Sequence, residues 1–262
     1  MKISFVIYFH SNRVKNLEQM LRFLFKRENL INSEFLLICQ DQYNKKILEI
    51  KPKNLKLKYY HKTKMCNIGV DLAKNKIIAL LDSDRILPPK YFEKIYKKIK
   101  PKQFVSTWKM YKLNKEYADE EIEKNEVIKS EDFKSIENNA CSKNLFAGNT
   151  VFYKKDYLDA GGMDENFYGY GFADTDMTTN VMSKNYNVIW RDEEEIHLFH
   201  SKEIHIGKEK YHFHPEIFTA LNAKKYCKKW KKIPDKNIND LLDWINKSKE
   251  RKKELIRISR IL

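Results

Sequence analysis

NIGVDLAKNKIIALLDSD, residues Asn67–Asp84, decides the fold. Asn67 to Ala73 reads as helical, and Ile77 to Leu81 is a continuous apolar run of strand length that leads directly into Asp82-Ser83-Asp84. A buried strand that ends in two carboxylates needs a reason, because unpaired charge is costly to bury. Either the pair meets a divalent cation that bridges phosphates, or it forms a structural turn.

Outward from this stretch, the N-terminal part repeats one pattern. Ile3 to Phe9 is a β-branched and aromatic run that ends at His10-Ser11-Asn12-Arg13, and Leu17, Met20, Leu21 and Leu24 then recur at helical spacing. Phe35 to Cys39 is a second strand that ends at Gln40-Asp41-Gln42. Ile47 and Ile50 suggest a further helical turn, and Leu55 to Tyr60 a third extended segment. Strands alternating with helices predict a βαβ-type open sheet whose ligands lie beyond the carboxyl ends of the strands. The polar clusters His10–Arg13, Gln40–Gln42 and Asp82–Asp84 all fall at such ends. Downstream, Pro88-Pro89 opens a helix through Tyr91, Ile95 and Ile99 that Pro101 stops. Phe104 to Tyr111 is strand-like, Asn114 to Asn139 reads as a charged, solvent-facing insertion over the site, and Val188 to Trp190 is another strand. Ile238 to Leu262 has the pattern of one amphipathic helix.

The second informative stretch is LFAGNTVFYKKDYLDAGGMDENFYGYGFADTD, Leu145–Asp176. It holds five of the chain's seven glycines (Gly148, Gly161, Gly162, Gly169 and Gly171), which marks a built loop in which the backbone turns sharply or approaches another group closely. Aromatic rings interleave with the glycines and precede Asp174 and Asp176. Aromatic faces against sugar rings, beside a carboxylate that accepts a hydroxyl proton, suit carbohydrate chemistry. The same aspartates also suit a helix start, and the two readings are compatible. His197 and His200 form an HxxH pair that can share a metal if the chain turns between them; otherwise they are half-buried histidines at a strand end. His212 and His214 lack a companion motif.

Composition narrows the classes. The 262 residues, 42% of them hydrophobic, suffice for a real core. No apolar run approaches the ~20 residues of a membrane span, and no leader peptide is evident at the N-terminus. The four cysteines show no CxxC pairing, which suggests reduced thiols and a cytoplasmic protein. The net charge of +15 is spread along the chain without a nucleic-acid module. Its late concentrations, Lys224–Lys232 and Lys247–Lys253, would suit peripheral attraction to anionic lipid at the inner membrane face or to an acidic glycan.

Taken in order, Asn12-Arg13, Asn67–Asp84, Ala147–Asp176 and His197–Ser201 make the chain resemble glycosyltransferases of the GT-A fold, in the group that shares a C-terminal galactosyltransferase-type domain with β-1,4-galactosyltransferases and bacterial chondroitin-type polymerases. The resemblance implies a Rossmann-like α/β nucleotide-diphospho-sugar transferase fold with a mixed sheet flanked by helices. Residues 1–100 would form the nucleotide-sugar half, 101–205 the acceptor and catalytic half, and 206–262 a basic, partly helical extension. It implies an inverting transfer from a UDP-sugar to a glycan or lipid-linked glycan, with Mn2+ in preference to Mg2+ and no nucleic-acid partner. Asn12, Arg13, Asp41, Asn67, Asp82, Ser83 and Asp84 would bind the nucleotide sugar. Asp84, His197 and His200 would hold the metal. Gly148, Asn149, Tyr170, Gly171 and Asp176 would face the sugars, and Asp174 would be the catalytic base. The family pattern has Glu-Asp where this chain has Ala173-Asp174, which leaves a non-catalytic glycan- or nucleotide-binding homologue as the alternative, with a basic nucleic-acid-binding protein as a second.

Overall fold

The computed structural model describes residues 1–57, 60–113, 139–141, 145, 148–198, 215–232 and 236–259. Of the insertion expected at Asn114 to Asn139, residues 114–138 lie outside the described residues, as do the histidines His200, His212 and His214. Among the described residues, one nine-stranded sheet organises the fold. β1 (Ile3–Phe9), β2 (Glu34–Cys39), β3 (Lys53–Asn54) and β4 (Ile77–Asp82) run parallel in the order β3-β2-β1-β4. β8 (Asn149–Tyr153) joins β4 antiparallel, followed outward by β6 (Gln103–Lys112), β9 (Asn187–His197) and the two-residue β5 (Arg85–Ile86), with β7 (Asn139–Cys141) on the side of β6.

Alternation along β1 explains how one strand serves two cores. Ile3, Phe5, Ile7 and Phe9 face α1 (Val14–Arg27) and α3 (Tyr91–Tyr96), meeting Leu17, Leu21, Tyr91 and Phe92. Val6 and Tyr8 face the other way, toward α2 (Lys62–Leu72), α4 (Lys154–Ala160) and α5 (Ala173–Ser183), meeting Met65, Val70, Tyr157 and Met177. With both faces covered, the strand is buried at every position, so its sequence is a continuous apolar run. Gly69 allows α2 to approach this closely, because a Cβ there would lie 2.2 Å from Val6 Cγ1. The carboxylate of Glu28 caps α3, accepting the Phe92 and Glu93 amides at 3.1 Å each.

Three local expectations change before the C-terminal region. Ile47 and Ile50 pair as an isolated antiparallel bridge around Leu48 and Glu49, both at positive φ, so the segment is a tight turn and not a helical one. The third strand stops at Asn54, two residues before Lys56 takes φ 53°, although Leu55 and Leu57 still donate to Cys39 and Gln40. The strand expected at Val188 to Trp190 runs from Asn187 on to His197, one strand of 11 residues, bulged against β6. Its acidic middle is paired: Asp192 accepts from Trp108, Glu194 from the Tyr111 hydroxyl, and Glu195 from Arg85 and Asn149.

The described residues of the C-terminal region form three helices: α6 (Pro215–Trp230), α7 (Lys236–Asn246) and α8 (Lys249–Ser259). The expected single amphipathic helix is broken at Ser248, whose hydroxyl accepts the Arg251 amide and caps α8. Ile217, Phe218, Ala220 and Ile245 close a small core of their own. Among the described residues no helix is long and apolar enough to cross a membrane, and Cys39, Cys66 and Cys227 are buried free thiols.

Candidate active site

The carboxyl ends of β1, β2 and β4 converge as the alternating pattern requires. A short 3-10 turn, Ser11–Arg13, follows β1. Asp41, beyond β2, accepts the Ser11 amide at 2.9 Å and the Ser11 hydroxyl, and lies 3.6 Å from His10 Nε2, so the first two strand ends are tied together. Burial works against its ionisation, but these donors hold its carboxyl below the usual carboxylate range. Asn12 is exposed beside His10, while Arg13 is buried and reaches Asp84 at 3.5 Å.

Asp82, Ser83 and Asp84 sit at the end of β4, where the Asp82 amide donates to the carbonyl of Gly148 at 2.7 Å. Arg85 turns back beneath them. Its guanidinium lies 3.6 Å from Asp82, 3.5 Å from Asp84 and 3.2 Å from Glu195, and its residue is only 8% exposed. Burial opposes ionisation of Asp84, but His197, Arg85 and Arg13 outweigh it and keep the carboxyl ionised. Asp82 moves the other way: burial, with Asp84, Asp174 and Glu195 nearby, raises its pKa despite Arg85. His197 Nε2 is 3.5 Å from Asp84, and burial pulls the imidazole pKa down in spite of that carboxylate. A neutral imidazole beside an ionised carboxylate is a donor pair that Mn2+ accepts. Among the described residues no group of three or more candidate ligands forms.

Asp174 begins α5 across from this acidic end. Lys62, the first residue of α2, joins the two: its Nζ lies 2.8 Å from Asp174 Oδ1 and 3.6 Å from Asp82 Oδ1, over the ring of Tyr8. Burial raises the Asp174 pKa above the usual carboxylate value, and Lys62 and Arg85 restrain the rise. Before Asp174 runs the glycine-aromatic loop. Gly169 (φ 64°) and Gly171 (φ 87°) occupy left-handed conformations, and Tyr170 between them is 55% exposed. Ala173 packs with Phe167, Phe172, Tyr226 and Cys227, so a carboxylate at this position would be set among apolar side chains.

Three expected sugar- or nucleotide-facing residues hold the scaffold instead. Asn67 spends its whole amide on the turn after α4: Nδ2 donates to Met163 O and Glu165, and Oδ1 accepts from Tyr157 and the Met163 amide. Asn149 is buried between Tyr91, Thr107 and Glu195, at 2.9, 2.9 and 2.6 Å. Asp176 is 2% exposed and is taken by Trp230 Nε1 at 2.7 Å and Lys229 at 2.8 Å. Gly148 contributes space, since a Cβ there would lie 2.6 Å from the Glu195 carboxylate.

Lys62, Arg85 and Glu195 escaped the sequence reading. Lys62 is one lysine among many, and Glu195 hides in an acidic run. The adjacency of Arg85 to Asp82-Ser83-Asp84 was the one available signal.

His61, next to Lys62, is buried against Tyr168, with ring centroids 4.2 Å apart, and burial lowers its pKa from 6.5 to about 4. The folded state therefore binds fewer protons than the unfolded state between these values. Its contribution is full above pH 6.5 and is lost as pH falls toward 4. Thermal melts of the wild type should fall over this window, and His61→Gln should flatten the fall.

A family model described as the N-terminal domain of galactosyltransferase matches residues 129–205. No curated protein matches the chain. Among solved structures, the chain is similar to GalNAc-T7 bound to UDP, GalNAc and Mn2+, at 12% identity and a TM-score of 0.60, over 87% of this chain and 48% of that one. It is also similar to the mannosyltransferase PcManGT of Pyrobaculum calidifontis in complex with GDP-Man and Mn2+, at 10% identity and 0.55, over 89% and 65%. A mutant of Drosophila β1,4-galactosyltransferase 7 with manganese, UDP-Gal and xylobiose matches at 11% identity and 0.51, over 83% and 79%. The chain thus spans about half the length of the first and under two thirds of the second. At these identities the likeness is one of fold, and that fold is the GT-A fold of the nucleotide-sugar transferases.

Proposed function

We propose that this chain is an inverting glycosyltransferase that moves a hexose or N-acetylhexosamine from a UDP-sugar to a hydroxyl of a glycan acceptor. One observation carries the reading. A carboxylate on the acceptor side, Asp174, and the acidic end of β4 share a single lysine, so a base and a diphosphate-binding site face each other within one side chain's reach. Asp84 and His197 would hold a divalent ion, with His200 as a further ligand. When bound, that ion would offset charge on the departing diphosphate.

The remaining chemistry falls to the chain. Arg13 and Asp41 line the nucleotide end, and Tyr170 offers a ring to the sugars. Asp174 receives the acceptor hydroxyl proton as that oxygen bonds to the anomeric carbon and the bond to UDP breaks. The proton moves late, when the hydroxyl has become acidic, so a carboxylate can take it. Nucleotide sugars as donors suit a cytoplasmic enzyme, and the exposed Lys224, Lys228, Lys231, Lys252 and Lys253 suit an anionic membrane face.

A panel of UDP-sugars with and without Mn2+ tests the reading. One donor should raise the melting temperature by mass action, by an amount corresponding to about 2.7 kcal/mol at a hundred times its Kd, and should be turned over in a Mn2+-dependent way. No shift and no turnover with any donor would reject it.

A further inference from the structure

The basic C-terminal segment has a place in the site. The loop from Phe167 to Asp174 lies between the start of α2, where Gly169 donates to the Tyr60 carbonyl at 2.9 Å, and α6. On the α6 side, a Cβ at Gly169 would lie 2.5 Å from the Phe218 ring, and one at Gly171 would lie 3.0 Å from Thr219 Oγ1. Between these contacts sits Asn222, 1% exposed, whose Nδ2 donates to three loop carbonyls: Tyr168 at 2.7 Å, Tyr170 at 3.1 Å and Gly171 at 3.0 Å. Gly169 and Gly171, both at positive φ, turn the loop sharply here, and the Gly171 carbonyl also accepts the Ala173 amide at 2.9 Å. A buried carbonyl without a partner is costly, so one amide stabilises a conformation the loop would otherwise leave.

We infer that Asn222 is a positioning residue that holds this loop, and through it sets Tyr170 and Asp174 in place for transfer. The inference rests on the function proposed above for its catalytic consequence, but not for its structural one. The role requires a donor and not merely a filler of the right volume. Asn222→Asp conserves shape and turns the amide donor into an acceptor facing three oxygens, whereas Asn222→Ala removes the donor and leaves space.

Full-length wild type, Asn222→Ala and Asn222→Asp would be compared by amide hydrogen exchange, by UDP affinity in Mn2+ and by turnover of the best UDP-sugar. Exchange in 167–174 should quicken about tenfold or more in both variants, at least as much for Asp as for Ala, with β1 and β4 unaffected. UDP affinity should stay within about twofold and kcat should fall about tenfold at unchanged donor KM, since the loop touches the transfer step and not the nucleotide. An Asn222→Asp protein indistinguishable from wild type would overturn the inference, as would quickened exchange spread equally over β1 and β4. If wild type binds no UDP, the functional reading fails, while the exchange comparison still decides the loop clamp.

Discussion

Asp174→Asn is expected to reduce sugar transfer by about a hundredfold to ten-thousandfold, the range that a positioned general base contributes, while UDP affinity persists. The substitution keeps size, removes the ability to take a proton and weakens the contact with Lys62 to a neutral one, so the loss should appear in kcat and not in donor KM. Unchanged turnover would remove Asp174 from the mechanism. The pH profile gives an independent check. Burial raises the Asp174 pKa and Lys62 restrains it. The base works deprotonated, so activity should fall as pH drops through that raised value, and the acid limb should lie above the ordinary carboxylate range. Lys62→Met removes the nearest cation, 2.8 Å away. The acid limb should then move to higher pH, because the ionised carboxylate loses its stabilising partner. An acid limb that stays in place would show that a different group controls it.

Much of this was legible in the sequence because it follows from local rules. β1, β2 and β4 show as apolar runs, and the rule that ligands sit beyond strand ends pointed to Arg13, Asp41 and Asp84, which the fold gathers beyond the ends of those strands. The glycine-rich stretch was recognisable as a built loop, and Gly169 and Gly171 do need their positive φ. What escaped depends on contacts distant in sequence. Asp176 resembles Asp174 in every local respect, being two residues on at the same helix start. Trp230, 54 positions away, makes it a structural residue. Asn149 and Asn67 sit in motifs that suggest ligand binding, yet their amides are consumed by Glu195 and by Met163. The length of β9 was hidden by its composition, because a Glu-rich strand is unfavourable unless its carboxylates find partners; Asp192, Glu194 and Glu195 find them on other strands and Glu193 on Arg191 of its own. Ala173, which departs from the pattern that the resemblance implies, packs against the Phe167–Tyr226 cluster, a contact that no linear reading contains.

Arg85 carries the largest expected effect on stability. Its guanidinium is the shared partner of Asp82, Asp84 and Glu195, and with its side chain 7% exposed it has little solvent to replace what it contributes. Removing one partner of a buried ion pair costs about 3–5 kcal/mol, since the remaining charge is stranded, so Arg85→Met should lower stability by at least that amount, measured by urea unfolding. Three carboxylates would then share a low-dielectric pocket, and the cheapest response is proton uptake. The deficit should therefore shrink as pH falls. Arg85→Lys should land between wild type and Arg85→Met, because a point charge cannot satisfy Asp82, Asp84 and Glu195 with the fixed geometry of a guanidinium fork. A double variant with Glu195→Gln separates pairing from packing. If the charge pair is what Arg85 holds, the two losses should be less than additive by about 0.5–3 kcal/mol, whereas strict additivity would mean that Arg85 stabilises the site through its contacts with β6 and β9 and not through charge.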